Sequence, residues 1–214
     1  MENRVEKSLL SIRGQLTKLA FASVSALKKS KQALKTLDKP LCRQIIDGDA
    51  EIDAMEEALE KECFSVLLLD SPFAADFLFV SSSLKMITDL ERIGDYAVDV
   101  AEEVFYLPEG QKLHLDDLEL LFDYVLDLLS VAVDAFLNSD LEKARSLSRL
   151  DDKIDRLFVK VRQDIAKGLG EKSIDPEEGI VASLIAKYLE RVADHAVNIG
   201  EWVDYAKTGA HQNS

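Results

Sequence analysis

Leu90-Glu91-Arg92-Ile93-Gly94-Asp95-Tyr96-Ala97-Val98 returns near the C-terminus as Leu189-Glu190-Arg191-Val192-Ala193-Asp194-His195-Ala196-Val197. The match runs on without a gap: Glu102, Val104, Tyr106 and Gly110 find Glu201, Val203, Tyr205 and Gly209. An internal repeat of so long a period means duplication of a whole structural unit. In both copies the unchanged polar feature is Glu-x-x-x-Asp. That spacing sets two carboxylates one turn apart on one helix face, where like charges repel. A cost kept in both halves points to a compensating cation.

Working outward, nearly everything reads as helix. Pro (4) and Gly (9) are scarce, and no segment alternates with strand period. The breakers fall where helices turn: Asp38-Lys39-Pro40, Asp70-Ser71-Pro72, Leu107 to Gly110, Asn138-Ser139-Asp140, and Gly168 to Pro176. They predict six helices, over 2–37, 40–69, 73–107, 115–138, 140–168 and 176–207. Apolar residues step by four and three. Met86, Leu90, Ile93, Ala97, Val100 and Val104 in the third helix answer Ile185, Leu189, Val192, Ala196, Ile199 and Val203 in the sixth. Long helices joined by short turns pack as antiparallel neighbours. The expected fold is all-α, two tandem three-helix bundles related by duplication, with residues 1–110 in the first and 111–214 in the second.

A net charge of -14 disfavours a nucleic-acid partner, which needs clustered Lys and Arg. A hydrophobic fraction of 47% is ample for a core. Cys42 and Cys63 lack metal-ligand spacing and read as buried free thiols of a reducing compartment. The charged run Met1 to Lys7 lacks the apolar core of a signal peptide, and none is expected. The longest apolar run, Leu118 to Leu137, is broken by Asp123, Asp127 and Asp134, so no membrane insertion is expected. Together these features predict a cytoplasmic protein.

At about 100° per residue, Glu91 and Asp95 lie beside the apolar stripe rather than opposite it. The second helix of each half carries a matching Asp-x-x-Ile-Asp: Asp49 and Asp53 in one, Asp151 and Asp155 in the other. A buried carboxylate without a partner either protonates or finds a cation. If the second and third helices of each half face each other, Asp49, Asp53, Glu91 and Asp95 converge in one half, and Asp151, Asp155, Glu190 and Asp194 in the other. An all-oxygen set suits Mg²⁺, Mn²⁺, Ca²⁺ or iron. The blander alternative is a set of solvated acids, with Arg92 and Arg191 supplying counter-charge through salt bridges to a partner helix. His195, matched by Tyr96, reads as an interfacial histidine, and Trp202 and Tyr205 as packing residues. Asp99 and Asn198 could extend the sites. Lys28, Lys29, Lys31 and Lys35 read as a solvated basic face.

These residues carry a family resemblance. Glu91-Arg92-Ile93-Gly94-Asp95, the run Glu190 to Trp202, and the segment Ile46 to Glu56 resemble the signatures of the PhoU family, accessory regulators of bacterial phosphate transport. The likeness covers nearly the whole chain. It implies two side-by-side three-helix bundles and a negative regulator of the phosphate-starvation response. Such a regulator connects the phosphate ABC transporter, through its ATPase subunit, with a sensor histidine kinase. It also implies a homodimer and carboxylate-bound metal (iron, Mn, Mg or Zn); inorganic phosphate held on that metal could make the surface respond to phosphate, although the sequence supplies no phosphate loop. Asp99, where the family more often has Asn, adds negative charge to the first site. Two other readings stand beside the regulator. A di-metal carboxylate enzyme would need Glu-x-x-His on core helices, which His114, His195 and His211 do not complete. A ligand-free structural adaptor would need no metal at all.

Overall fold

A computed structural model describes residues 4–69, 72–108 and 116–210. Asp70, Ser71, the expected link at 110–115, Gly110, His114 and His211 lie outside the described residues. Six helices follow in order: α1 Arg4–Thr36, α2 Lys39–Leu69, α3 Ala74–Tyr106, α4 Asp116–Asn138, α5 Leu141–Gly170 and α6 Pro176–Thr208. Each agrees with the sequence-based span to within two residues, except that the N-terminus of the first helix is partly outside the described range.

The termini show why. The Asp140 carboxylate accepts from the backbone N–H of Glu142 and Lys143 at the start of α5. Asp175 accepts from Glu177 N–H, with Pro176 in the first turn of α6. These bonds satisfy donors that a helix start leaves open. Asp38 accepts from Leu41 N–H at the start of α2. Gly209 closes α6 at φ 69°, in the left-handed region where a side chain would be strained. The start of α3 differs from expectation. Its cap is Phe73, which makes no side-chain capping bond.

Helices α1, α2 and α3 pack on one another, as do α4, α5 and α6. The two bundles meet chiefly along α3 and α6, with α1 also touching α4. The apolar stripes read from the sequence are the core: Leu90, Ile93, Ala97, Val100 and Val104 of α3 and Leu189, Val192, Ala196, Ile199 and Val203 of α6 are all buried. Small residues set how closely helices approach. A Cβ on Gly94 would stand 3.1 Å from Ile52 of α2, and one on Gly200 would meet Leu147 and, at 3.0 Å, the Ala144 carbonyl of α5. Gly94 therefore makes room for a neighbouring helix, not for an ion. No described helix is long and apolar enough to cross a membrane.

Along the α3–α6 seam the duplication reappears as matched contacts. Asp89, 7% exposed, accepts from Asn198 Nδ2 (3.1 Å) and Trp202 Nε1 (3.0 Å) and lies 2.8 Å from His195 Nδ1. The repeat offset turns Asp89 into Tyr188, and His195, Asn198 and Trp202 into Tyr96, Asp99 and Glu103. Tyr188 does stack on Tyr96, with ring centroids 6.0 Å apart. Burial, then the charges of Asp99 and Glu103, raise its hydroxyl pKa.

Candidate metal centre

The carboxylates of the first half lie where α2 faces α3. Oxygens of Asp49, Asp53 and Asp95 all fall within 4.8 Å of one another. That span is what two bonds of roughly 2.4 Å to one hard cation would cover. Asp49 Oδ1 is buried and accepts no hydrogen bond. A buried acceptor in that state needs a partner, and a cation supplies one. Burial, then the charges of Asp53, Asp95 and Asp99, hold the Asp49 carboxyl above its ordinary range. Glu91 stands close enough to feel the same field. Burial first, then Asp95 and Glu56, push it up to about 7 against the pull of Arg92. Its oxygens are not among the converging three. Glu56, unremarked in the sequence reading as a site residue, is also raised, by burial and by Glu60, Asp53 and Asp95.

The second half uses the same backbone places differently. Burial, then Asp155, Asp194, Asp152 and Glu190, push Asp151 up to about 6, so these acids are neighbours. No three of their oxygens gather within the distance seen in the first half among the described residues. Lys187 Nζ instead lies 2.6 Å from Glu190 Oε2. Burial first, then Glu190, hold the Asp194 carboxyl above its ordinary range, with Arg191 and Lys187 pulling the other way.

The arginines of the repeat pair within their own helix rather than with a partner helix. Arg92 reaches Asp95 at 3.0 Å and Glu91 at 3.6 Å. Arg191 reaches Asp194 at 3.4 Å and Glu190 at 3.9 Å. Both are about half exposed, where such pairs contribute little. Asp99 extends the acidic field beyond Asp95: burial, then Asp95 and Glu102, raise it. Asn198 donates its amide N–H to Asp89. His195 is held by the same carboxylate, as an interfacial residue. Trp202 is more than packing, since its indole N–H donates there too. Lys31 of the basic run is half-buried and pairs with Asp123 of α4. Burial pushes the Cys42 and Cys63 thiols up, to about 11 and about 12, which makes both unreactive.

Asp89 and Asp204 are the polar residues that sequence reasoning missed. Asp204 is 2% exposed and receives Arg145 through Nε and a terminal nitrogen, both at 2.9 Å. Asp204 sits beside the apolar stripe of the repeat, where half-buried Phe105 packs against the core in the first copy. An acid replacing an aromatic ring at a core position was the available signal.

Comparison with known proteins places this architecture. The PhoU domain family matches the chain twice, over residues 16–104 and 118–203. The phosphate-specific transport system accessory protein PhoU homolog 1 of Thermotoga maritima is 31% identical over 207 residues, covering 95% of this chain and 89% of that protein. A PhoU homolog of Pseudomonas putida is 31% identical over 209 residues, covering 96% and 78%. The crystal structure of the phosphate transport system regulatory protein PhoU from Streptococcus pneumoniae superposes with a TM-score of 0.90 at 29% identity, covering 97% of this chain and 99% of that one. PhoU from Pseudomonas aeruginosa gives 0.92 at 27% identity, covering 97% and 100%. The chain belongs to the PhoU family.

Proposed function

We propose that this PhoU-family chain is a non-enzymatic cytoplasmic regulator of phosphate transport. It represses the phosphate-starvation response by linking the ATPase subunit of a phosphate ABC transporter to a sensor histidine kinase. The observation that carries this reading is family membership through both halves. The names of its relatives, accessory and regulatory proteins of phosphate transport, point the same way. One end of the first bundle also presents Leu68, Leu69 and Phe73 at 79%, 68% and 83% exposure. A cluster of large apolar side chains on a surface this acidic favours a protein partner, a second copy of the chain included.

The carboxylates give the regulator a cation dependence. Asp49, Asp53 and Asp95, supported by Glu91, would hold a hard divalent or trivalent ion, with Asp49 Oδ1 gaining the partner it lacks. When bound, the ion cancels repulsion between α2 and α3 and fixes the face that the first bundle shows. The set is all oxygen. The one described histidine, His195, is engaged by Asp89, which disfavours a di-metal oxidase whose ligands include Glu-x-x-His. Asp151, Asp155, Glu190 and Asp194 form the equivalent set of the second half.

Pull-down with the transporter's ATPase subunit tests the main reading. Capture that changes with phosphate and Mn²⁺ is the expected result. No capture under any combination of phosphate and Mn²⁺ overturns it.

A further inference from the structure

In the second half, an ammonium of the chain itself lies beside Glu190. Lys187 Nζ lies 2.6 Å from Glu190 Oε2 and 5.6 Å from the centroid of the Phe158 ring on α5. Under the repeat offsets, Lys187, Glu190 and Phe158 correspond to Thr88, Glu91 and Glu56 in the first half. The first half thus offers a carboxylate where the second offers an aromatic face. It offers an exposed threonine where the second offers an ammonium. A third exchange follows the same direction: Asp99 becomes Asn198, whose amide turns to Asp89. Each exchange makes the second crevice less negative.

We propose that Lys187 is a tethered counter-ion that decides which half takes an external cation. It is a specificity-determining residue, and the inference rests on the reading of Asp49, Asp53 and Asp95 as a cation site. The first half, with Arg92 paired to Glu91 and Asp95 and with Asp49 Oδ1 unpartnered, draws a metal ion from solution. The second half is neutralised by its own chain. A tethered ammonium gives up no translational freedom when it sits beside Glu190, so it lowers the charge left to attract a free ion. A ring face next to it holds its charge by cation–π attraction. The duplication then yields one half that responds to metal and one that is set permanently, which suits a regulator needing a fixed bundle as reference for a variable one.

The experiment uses the full chain, stripped with chelator, and Mn²⁺ as the probe. Bound Mn²⁺ is counted by equilibrium dialysis and elemental analysis, with melting temperature as a second readout. The wild type takes up Mn²⁺; uptake is lost in Asp53→Asn/Asp95→Asn and unchanged in Asp155→Asn/Asp194→Asn. Lys187→Thr, the residue of the first half, adds Mn²⁺ that Asp155→Asn/Asp194→Asn then removes. The reciprocal Thr88→Lys, at an exposed position that tolerates the change, weakens first-half binding at least tenfold while far-UV circular dichroism stays the same. Equal loss from both double variants, no gain in Lys187→Thr, or no weakening in Thr88→Lys overturns the role of Lys187 and leaves the first-half site standing. Absence of Mn²⁺ uptake by the wild type overturns both.

Discussion

Arg43 and Arg145 occupy equivalent places in the two halves, nearly two helix turns before the carboxylate pair of their helix. Arg43 stands 4.8 Å over the ring of Phe105. Arg145 grips both oxygens of Asp204, the residue that replaces Phe105 in the second copy. The same inversion occurs along the α3–α6 seam. Asp89 collects His195, Asn198 and Trp202, while its counterpart Tyr188 faces Tyr96, Asp99 and Glu103. Duplication preserved the apolar positions that set helix packing, because a misplaced methyl group is felt throughout a close-packed core. Polar partners drifted in pairs, because a buried donor or acceptor is costly only when its mate is missing. The carboxylate crevices follow this rule: the first half depends on a cation from outside, and the second carries Lys187.

The sharpest way to break the comparison is pH. A carboxyl held above its ordinary value keeps its proton longer in the folded chain than in the unfolded one. Stability without metal therefore falls as pH rises from about 4.5 and levels off above the folded value. Glu91, raised to about 7, accounts for a loss on the order of 3 kcal/mol. Asp151, raised to about 6, levels off sooner. In chelator the melting temperature is expected to drop between pH 5 and pH 7.5. Glu91→Gln should remove most of that drop, and a flat profile in the wild type would refute the crevice electrostatics.

Added metal sharpens the same contrast. At a free Mn²⁺ concentration a hundredfold above the dissociation constant, the stabilisation expected for one site is about 2.7 kcal/mol. It should grow with pH through the range where Glu91 loses its proton, as thermal melts at pH 6 and pH 8 would show.

The guanidinium pair is expected to show a smaller difference. Arg145→Met leaves Asp204 buried without its guanidinium, whereas Arg43→Met removes only a contact over an aromatic face. Thermal denaturation should show several degrees lost for the first and little for the second; equal losses would mean that the two contacts are interchangeable.

The smallest expected contrast lies in the glycines. Gly200→Ala presses on the Ala144 carbonyl, which cannot turn aside, and should cost about 1–3 kcal/mol in urea unfolding. Gly94→Ala meets only the movable side chain of Ile52, and the second half already holds Ala193 there. Its cost should stay below about 1 kcal/mol.

Legibility of the site followed the same division. Asp49, Asp53 and Asp95 were found from spacing, because helical period alone places i and i+4 on one face. Glu91, expected to converge with them, has no oxygen among the converging three; its carboxylate lies 3.6 Å from Arg92. The second set was read as a copy of the first. Nothing in Glu190-x-x-x-Asp194 reveals that Lys187, a turn earlier, bends onto Glu190 beside Phe158 of another helix. Asp89 and Asp204 escaped notice because their partners lie on other helices, 106 and 59 residues away for His195 and Arg145.

From its sequence alone this chain determined helix number, helix ends, core stripes, duplication and family likeness. All of these rest on local backbone chemistry or on a repeat visible within one strand of text. Tertiary structure alone decided which acids meet, which are answered by an internal cation, and how the bundles are fastened at Asp89. Those outcomes depend on distances between helices far apart in the chain. A charge is stabilised or not by whatever lies within a few ångströms, regardless of its neighbours in sequence.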